Sequence, residues 1–227
     1  MIIEPRLTVE KGRDYAIRVI RDNIVQLELE PGCMLSENEL ASELGISRTP
    51  VREALIDLAK VKIVEILPQR GCRVALIDHS IVKEAFFLRT VMEAAIVELA
   101  CDVATEEDLE KLDENVKLQT FYVQNMNHAA DKLFELDEEF HKQLFMLCNK
   151  NQIFEMIKSL SVHMERFRRM SLIAVKEIRI VSDHADILEA IRAKDAEKAR
   201  SLTKKHLNRY QFDLEEVQGK YPTYFKR

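Results

Sequence analysis

The stretch from Leu35 to Leu55 constrains this chain more than any other, because it spells out two short helices and the tight turn between them. Ser36-Glu37-Asn38-Glu39 is a capping box, in which the Ser36 hydroxyl accepts from the Glu39 amide while Glu39 reaches back. The helix it opens turns Leu40, Ala41 and Leu44 inward, and Gly45 ends it in a tight turn. Ser47 then stands at the cap of another helix, with Pro50 inside its first turn, where no intrahelical amide donor is yet needed. Val51, Ala54, Leu55 and Leu58 form the inner stripe of that helix. Arg48, Thr49 and Arg52 share its opposite face, the two arginines one turn apart near the N-terminal end.

The flanks complete a module. Residues from about Thr8 to Glu28 carry Tyr15, Ile17, Val19, Ile20, Ile24, Val25 and Leu27 in an amphipathic helical pattern, which Glu30-Pro31-Gly32 stops. Val64 to Leu67, the turn Pro68-Gln69-Arg70-Gly71 and Cys72 to Leu76 read as a short β-hairpin, the one convincing piece of β-structure. Three helices followed by a β-wing predict a winged helix-turn-helix. In such a module the third helix enters the major groove N-terminus first, which places Arg48, Thr49 and Arg52 against base edges and phosphates. Arg70 at the wing tip reaches toward the minor groove or backbone, and Gly71 allows close approach.

A net charge of −5 argues against a protein that simply coats nucleic acid. Residues 1–76 hold 11 Lys and Arg against 12 Asp and Glu, yet Ser47 to Arg73 holds six against three. The DNA-binding face is therefore expected to be a patch.

Everything after Asp78 has helical spacing, in about six segments starting near Ser80, Thr105, Ala129, Gln152, Val175 and Asp195. The expected fold is mainly α. Residues 1–77 form the winged module, and residues 78–227 form an antiparallel all-α bundle for sensing and dimerisation. No signal-peptide pattern and no apolar run near the ~18 residues of a membrane span is found, so a cytoplasmic protein without a membrane partner is expected. Cys33, Cys72, Cys101 and Cys148 are scattered without a C-x-x-C pair and read as reduced, mostly buried small hydrophobes.

Four residues of the helical region suggest metal chemistry. Asp137 and His141 are four apart, on one face of a helix. His184 and His206 lie almost symmetrically about a turn at Lys194-Asp195, so an antiparallel hairpin brings them to one level. One carboxylate and three neutral imidazoles suit Zn²⁺ or Ni²⁺, with Mn²⁺ or Fe²⁺ as alternatives. His79, His128 and His163 lack such placement, and Arg166, Arg168 and Arg169 read as a solvated helix face. A metal enzyme and a purely structural metal site remain open at this point. Di-iron bundles, however, need paired Glu-x-x-His motifs, of which there is no set here, and there is no H-E-x-x-H, G-x-S-x-G or glycine-rich phosphate loop.

The strings Leu35 to Ala41, Leu44 to Leu55 and Pro68 to Val74 resemble the GntR superfamily of bacterial regulators. That resemblance implies operator contacts from Arg48, Thr49, Arg52 and Gly71, with Asn38 and Arg70 as further contacts. Lys62 stands where relatives usually carry Gly. Arg89-Thr90-Val91-Met92-Glu93, Asp137 to His141 and the His184 and His206 segments resemble the FCD sensory domain of the FadR subfamily, and a count of six helices points to its VanR-like group. The implied protein is a homodimeric repressor of a roughly palindromic operator, controlled by a small organic acid at a divalent metal. Arg89 is the implied carboxylate-holding residue, with pairing to Glu93 one turn later as its alternative.

Overall fold

Tyr15, Ala16, Val19, Ile20 and Ile24 recur every three or four residues and form the buried face of α1 (Gly12–Val25), which packs against α3 (Arg48–Lys60). The structure is a computed structural model describing residues 1–125, 130–174 and 179–226. Helix α1 ends before Pro31 is reached, because Leu27 takes a left-handed φ of 64° and reverses the chain. Helix α2 (Glu37–Leu44) begins as expected: the Glu39 amide donates to the Ser36 hydroxyl at 3.3 Å, and Gly45 closes the helix at φ 64°. Ser47 holds the cap position of α3 but makes no capping bond through its side chain.

The wing belongs to a three-stranded antiparallel sheet. β1 (Met34–Leu35), β2 (Val64–Leu67) and β3 (Gly71–Val74) lie in the order β1-β3-β2. Strand β1 adds to the expected hairpin, and at two residues it is too short to show any alternation. Glu65 faces Arg73 across the β2-β3 ladder and the two pair at 2.7 Å.

Lys62, between α3 and β2, has a φ of 63°. The turn thus keeps a backbone shape that glycine adopts without cost and that a residue with a Cβ adopts at about 1–2 kcal/mol. Lys62→Gly is expected to stabilise the winged unit by about 0.5–1 kcal/mol, since glycine's greater freedom in the unfolded chain offsets part of the gain. Denaturant titration checks this; an unchanged or lowered midpoint would show that contacts of the Lys62 side chain outweigh the backbone cost.

The winged unit spans Met1–His79 and also Tyr221–Arg227. The final residues, grouped by the sequence with the helical domain, therefore pack with the first unit. Ile77 and Phe225 form a parallel bridge, in which the Ile77 amide donates to the Tyr224 carbonyl at 2.8 Å and the Lys226 amide to the Ile77 carbonyl at 2.9 Å. Phe225 is buried, and Lys226 pairs with Asp78 at 3.1 Å. Ending the chain before Tyr221 exposes the pocket of Phe225 and leaves both Ile77 groups without those partners. It should cost the winged unit about 1–3 kcal/mol, the ordering entropy of seven residues being regained. Hydrogen exchange checks this: the Ile77 amide should lose protection while the helical unit keeps its own.

The second unit, Ser80–Lys220, is all helical. Its helices are α4 (His79–Val103), α5 (Glu106–Asn125), α6 (Ala130–Leu147), α7 (Asn151–Leu160), α8 (Val162–Ala174), α9 (Ile180–Arg192), α10 (Ala196–Leu207) and α11 (Tyr210–Lys220). The expected six segments become eight among the described residues, so the count of six that pointed to a subgroup is not kept. The segment expected from Gln152 breaks at Ser161, whose hydroxyl donates to the Ile157 carbonyl at 2.5 Å and competes with the helical ladder. The last segment breaks at Asn208 and Arg209. The expected starts at Ala129 and Val175 lie outside the described residues, as does His128.

Val97, Leu112, Phe140, Phe145, Ile187 and Ile191 centre one core. Phe86 stacks on Tyr210 at 4.0 Å and meets Phe167 edge-on at 6.2 Å, which ties α4 and α11 to α8. Helices α9 and α10 form the expected hairpin, turned by Lys194 at φ 55°. Among the described residues all four cysteines are free thiols, and no helix is long and apolar enough to cross a membrane.

Candidate functional site

Asp137 and His141 on α6, His184 on α9 and His206 on α10 converge in the helical unit, all buried, each offering one donor atom within 4.8 Å of the others. The close pairs run in a ring. Asp137 Oδ1 lies 3.7 Å from His141 Nε2, which lies 3.3 Å from His206 Nε2. His206 Nε2 in turn lies 3.3 Å from His184 Nε2, itself 3.5 Å from Asp137 Oδ1. Donors about 2.1 Å from a common centre stand about this far apart.

The outer nitrogen of each ring faces an acceptor. His184 Nδ1 meets Gln119 Oε1 at 2.9 Å, and the Gln119 amide group in turn donates to Asn115 Oδ1 at 2.6 Å. His206 Nδ1 lies 3.3 Å from Asp183 Oδ2, and Arg209 clamps that carboxylate through two nitrogens. His141 Nδ1 stands 2.6 Å from Glu93 Oε2, close but off the ideal direction, while Arg89 pairs with the other Glu93 oxygen. A neutral ring that carries its proton on the outer nitrogen turns a bare Nε2 lone pair to the centre.

Electrostatics agree with the geometry. Burial pushes the His184 pKa well below the ordinary imidazole value, helped by His206 and His141. Burial likewise lowers His206 to about 4, against the opposing pull of Asp183. His141 moves down as well, for the same first reason. Burial alone would raise Asp183, but hydrogen bonds from His206 and Arg209 hold it at about 2.

Arg89 is buried and paired with Glu93, which is the alternative the sequence left open for it. The arginines of α8 correct the sequence reading. Arg166 is fully buried at 0% exposure, with its guanidinium 2.9 Å from His163 Nδ1, and burial lowers its pKa to about 9. Arg169 is buried and pairs with Asp131 at 2.6 Å, and Arg168 binds Asp137 through Oδ2. Helix α8 is enclosed on nearly every side, so its charges face other helices rather than solvent. Gln119, Asn115, Asp183 and Arg209 were not singled out from the sequence. Their contacts depend on which helices pack together, and only the burial-prone spacing of Asn115 and Gln119 on α5 hinted at an inward role.

In the winged unit Asn38, Arg48, Thr49, Arg52, Arg70 and Gly71 are all exposed. Arg48 leans toward Glu37 at 3.5 Å with its side chain two-thirds exposed. Gly71 takes a φ of 92° at the turn, beside Gln69 at 61°. Of the six basic side chains in the patch, Arg73 is paired by Glu65 and Lys60 by Asp57. Arg48, Arg52, Lys62 and Arg70 are exposed at the start of α3, in the turn after it and at the wing tip.

Comparison with known proteins covers both units. The profile of the bacterial regulatory proteins of the gntR family matches residues 14–74, and that of the FCD domain matches residues 84–209. An uncharacterized HTH-type transcriptional regulator from an unstable DNA locus of Streptomyces ambofaciens is 32% identical, over 94% of this chain and 89% of that protein. The HTH-type transcriptional repressor RspR of Escherichia coli K12 is 29% identical over 99% of both chains. The gluconate operon transcriptional repressor of Bacillus licheniformis is 32% identical over 88% of this chain and 81% of its own. Among solved structures, E. coli McbR/YncC superposes with a TM-score of 0.72 at 25% identity, over 94% of this chain and all of that one.

Proposed function

The chain belongs to the GntR family of bacterial regulatory proteins and carries an FCD domain, and from that premise we propose that its hold on operator DNA answers to a small carboxylate bound at a divalent metal. It is a DNA-binding transcriptional regulator, of a family whose members here include repressors, and not an enzyme. The observation that carries the metal reading is the convergence of three imidazole Nε2 atoms and one carboxylate oxygen on a common centre. Three lone pairs and a negative oxygen so close repel one another unless a cation lies among them, and the depressed histidine pKa values argue against protons filling that role.

Asp137, His141, His184 and His206 would hold the ion, which supplies Lewis-acid positive charge to an incoming carboxylate. Gln119, Asp183 and Glu93 fix the ring orientations, so the donors are preorganised. Arg89 pairs with Glu93 and Arg168 with Asp137 beside the cluster, so a divalent ion bound there would leave positive charge in excess. An anionic effector balances this excess. Two copies of the chain present two α3 helices to half-sites about one duplex turn, ~34 Å, apart, and Arg48, Thr49, Arg52, Asn38, Arg70 and Gly71 form the contact set. Operator control then requires that the occupied bundle favour one placement of the paired winged units over another.

The test selects bound duplexes from a random pool with the full-length protein, then measures affinity for the winner with Zn²⁺ or with chelator. The expected result is a roughly palindromic site and an affinity that changes by at least about five-fold between the two conditions. A palindrome whose affinity ignores the metal would leave DNA binding standing and remove the coupling.

A further inference from the structure

The chain passes between its two units twice, after His79 and again after Lys220. The second passage brings the end of the chain into the winged unit, where the parallel bridge joins Phe225 to Ile77 and Lys226 pairs with Asp78. The Tyr224 hydroxyl bonds to Glu30, in the turn that leads into β1. Ile77 itself lies just beyond β3, whose first residue, Gly71, closes the wing turn.

Both passages lead, by one helix each, to residues that back the four-residue cluster. Helix α4 starts at His79 and carries Arg89 and Glu93, and Glu93 Oε2 stands 2.6 Å from His141 Nδ1. Helix α11 runs back from Lys220 to Tyr210, next to Arg209, which clamps the Asp183 carboxylate that faces His206. It packs against α8, where Ser171 donates to Asp213 at 2.8 Å and the Lys220 ammonium donates to the Ile173 carbonyl at 3.1 Å. Helix α8 also carries Arg168, bound to Asp137. Phe86 of α4 and Tyr210 of α11 stack at 4.0 Å, so the two helices are joined to each other as well.

These contacts close a circuit. It runs from His141 through Glu93 and α4 to Ile77, across the bridge to Phe225, and back through α11 and Arg209 to His206. Four donors drawn to one ion would shift α6, α9 and α10 against one another, and packed helices pass such shifts on as bodies rather than absorb them. The slightest link in the circuit is the bridge. Two backbone hydrogen bonds and one buried aromatic ring at the end of a chain make a local structure that opens without unfolding the unit that holds it.

We infer that Tyr221 to Lys226 form a strap whose hold on Ile77 is set by the state of the cluster, so that the winged unit senses the helical one through the end of the chain. This takes its trigger from the metal reading above and names the moving part of the coupling, an element with two states that both ends bias. A tail that merely stabilised the winged unit would hold Ile77 equally in every state of the cluster.

The test uses the full-length protein loaded with Zn²⁺ or stripped by chelator, its zinc content measured by elemental analysis. Hydrogen exchange of the peptides covering Ile77 and Tyr224 to Lys226 should differ by at least about five-fold between the two, the scale of an ordinary allosteric coupling. In Phe225→Ala, with zinc content unchanged, the Ile77 peptide should exchange fast in both conditions. Its affinity for the selected duplex should then differ by less than about two-fold between them. Phe225→Leu, which keeps an apolar plug, should retain the zinc response. Exchange that ignores zinc in a zinc-loaded wild type overturns the inference, as does a full zinc response of operator affinity in Phe225→Ala. If Phe225→Ala no longer binds the duplex, wild-type exchange decides alone. If the wild type takes up no zinc, the metal reading fails and the strap is judged by Arg209→Met, which cuts the clamp on Asp183. Exchange at Ile77 should then rise at least about five-fold while the peptide covering Ile187 keeps its protection, and no change at Ile77 overturns the strap.

Discussion

His184→Ala should fold yet bind zinc at least about 100-fold more weakly than the wild type, which should hold about one ion per chain. The side chain is at 0% exposure, stacked on Phe140 at 4.1 Å, and it supplies one of three inward Nε2 donors. Removing a ligand costs more than disturbing a partner behind it, for which a 10–100-fold loss is ordinary. Gln119→Leu provides that graded comparison, since it removes the acceptor that fixes the His184 tautomer and leaves every donor present. Competition with a chromophoric chelator reads both constants, and far-ultraviolet circular dichroism reports the fold. The order wild type, Gln119→Leu, His184→Ala is the signature of a preorganised site. A wild type that takes up no metal after reconstitution would reduce the cluster to a buried polar knot.

That cluster was legible because its logic is local. Asp137 and His141 share a helix face by spacing alone, and His184 and His206 meet because their distances from one turn match. What surrounds them was not legible. Gln119 reaches His184 across 65 positions of sequence, and Arg209 reaches Asp183 across 26, so neither pairing has a periodic signature. The α8 arginines were misread for a related reason. A charged helix is solvated by default, and only packing on nearly every side, through Phe167, Met170 and Val162 among others, turns Arg166 inward. The break at Ser161 and the strand at Met34–Leu35 each hinge on one or two residues, below the length at which a pattern exists. In the winged module the Ser36 cap and the Gly45 turn were readable because each is a short-range rule met by its own neighbours. The return of Phe225 to Ile77 is the opposite case, a contact spanning most of the chain.

Arg52→Ala should produce the largest loss in operator binding among the winged-unit variants. Arg52 is exposed one turn into α3, clear of the cap, whereas Arg48 is drawn toward Glu37 and Arg70 sits on the wing turn. A bidentate base contact is worth about 1–3 kcal/mol, and the proposed dimer would lose two at once, so affinity should fall by roughly 30-fold to 10⁴-fold. The loss should be specific. Against a scrambled duplex Arg52→Ala should bind nearly as the wild type does, while Arg70→Ala should weaken both duplexes together and flatten the salt dependence, as loss of a phosphate contact does. Fluorescence anisotropy on the selected and scrambled duplexes at two salt concentrations separates these outcomes. Equal losses on both duplexes with Arg52→Ala would mean that α3 tracks the backbone, and that sequence is read by DNA shape or by the wing instead.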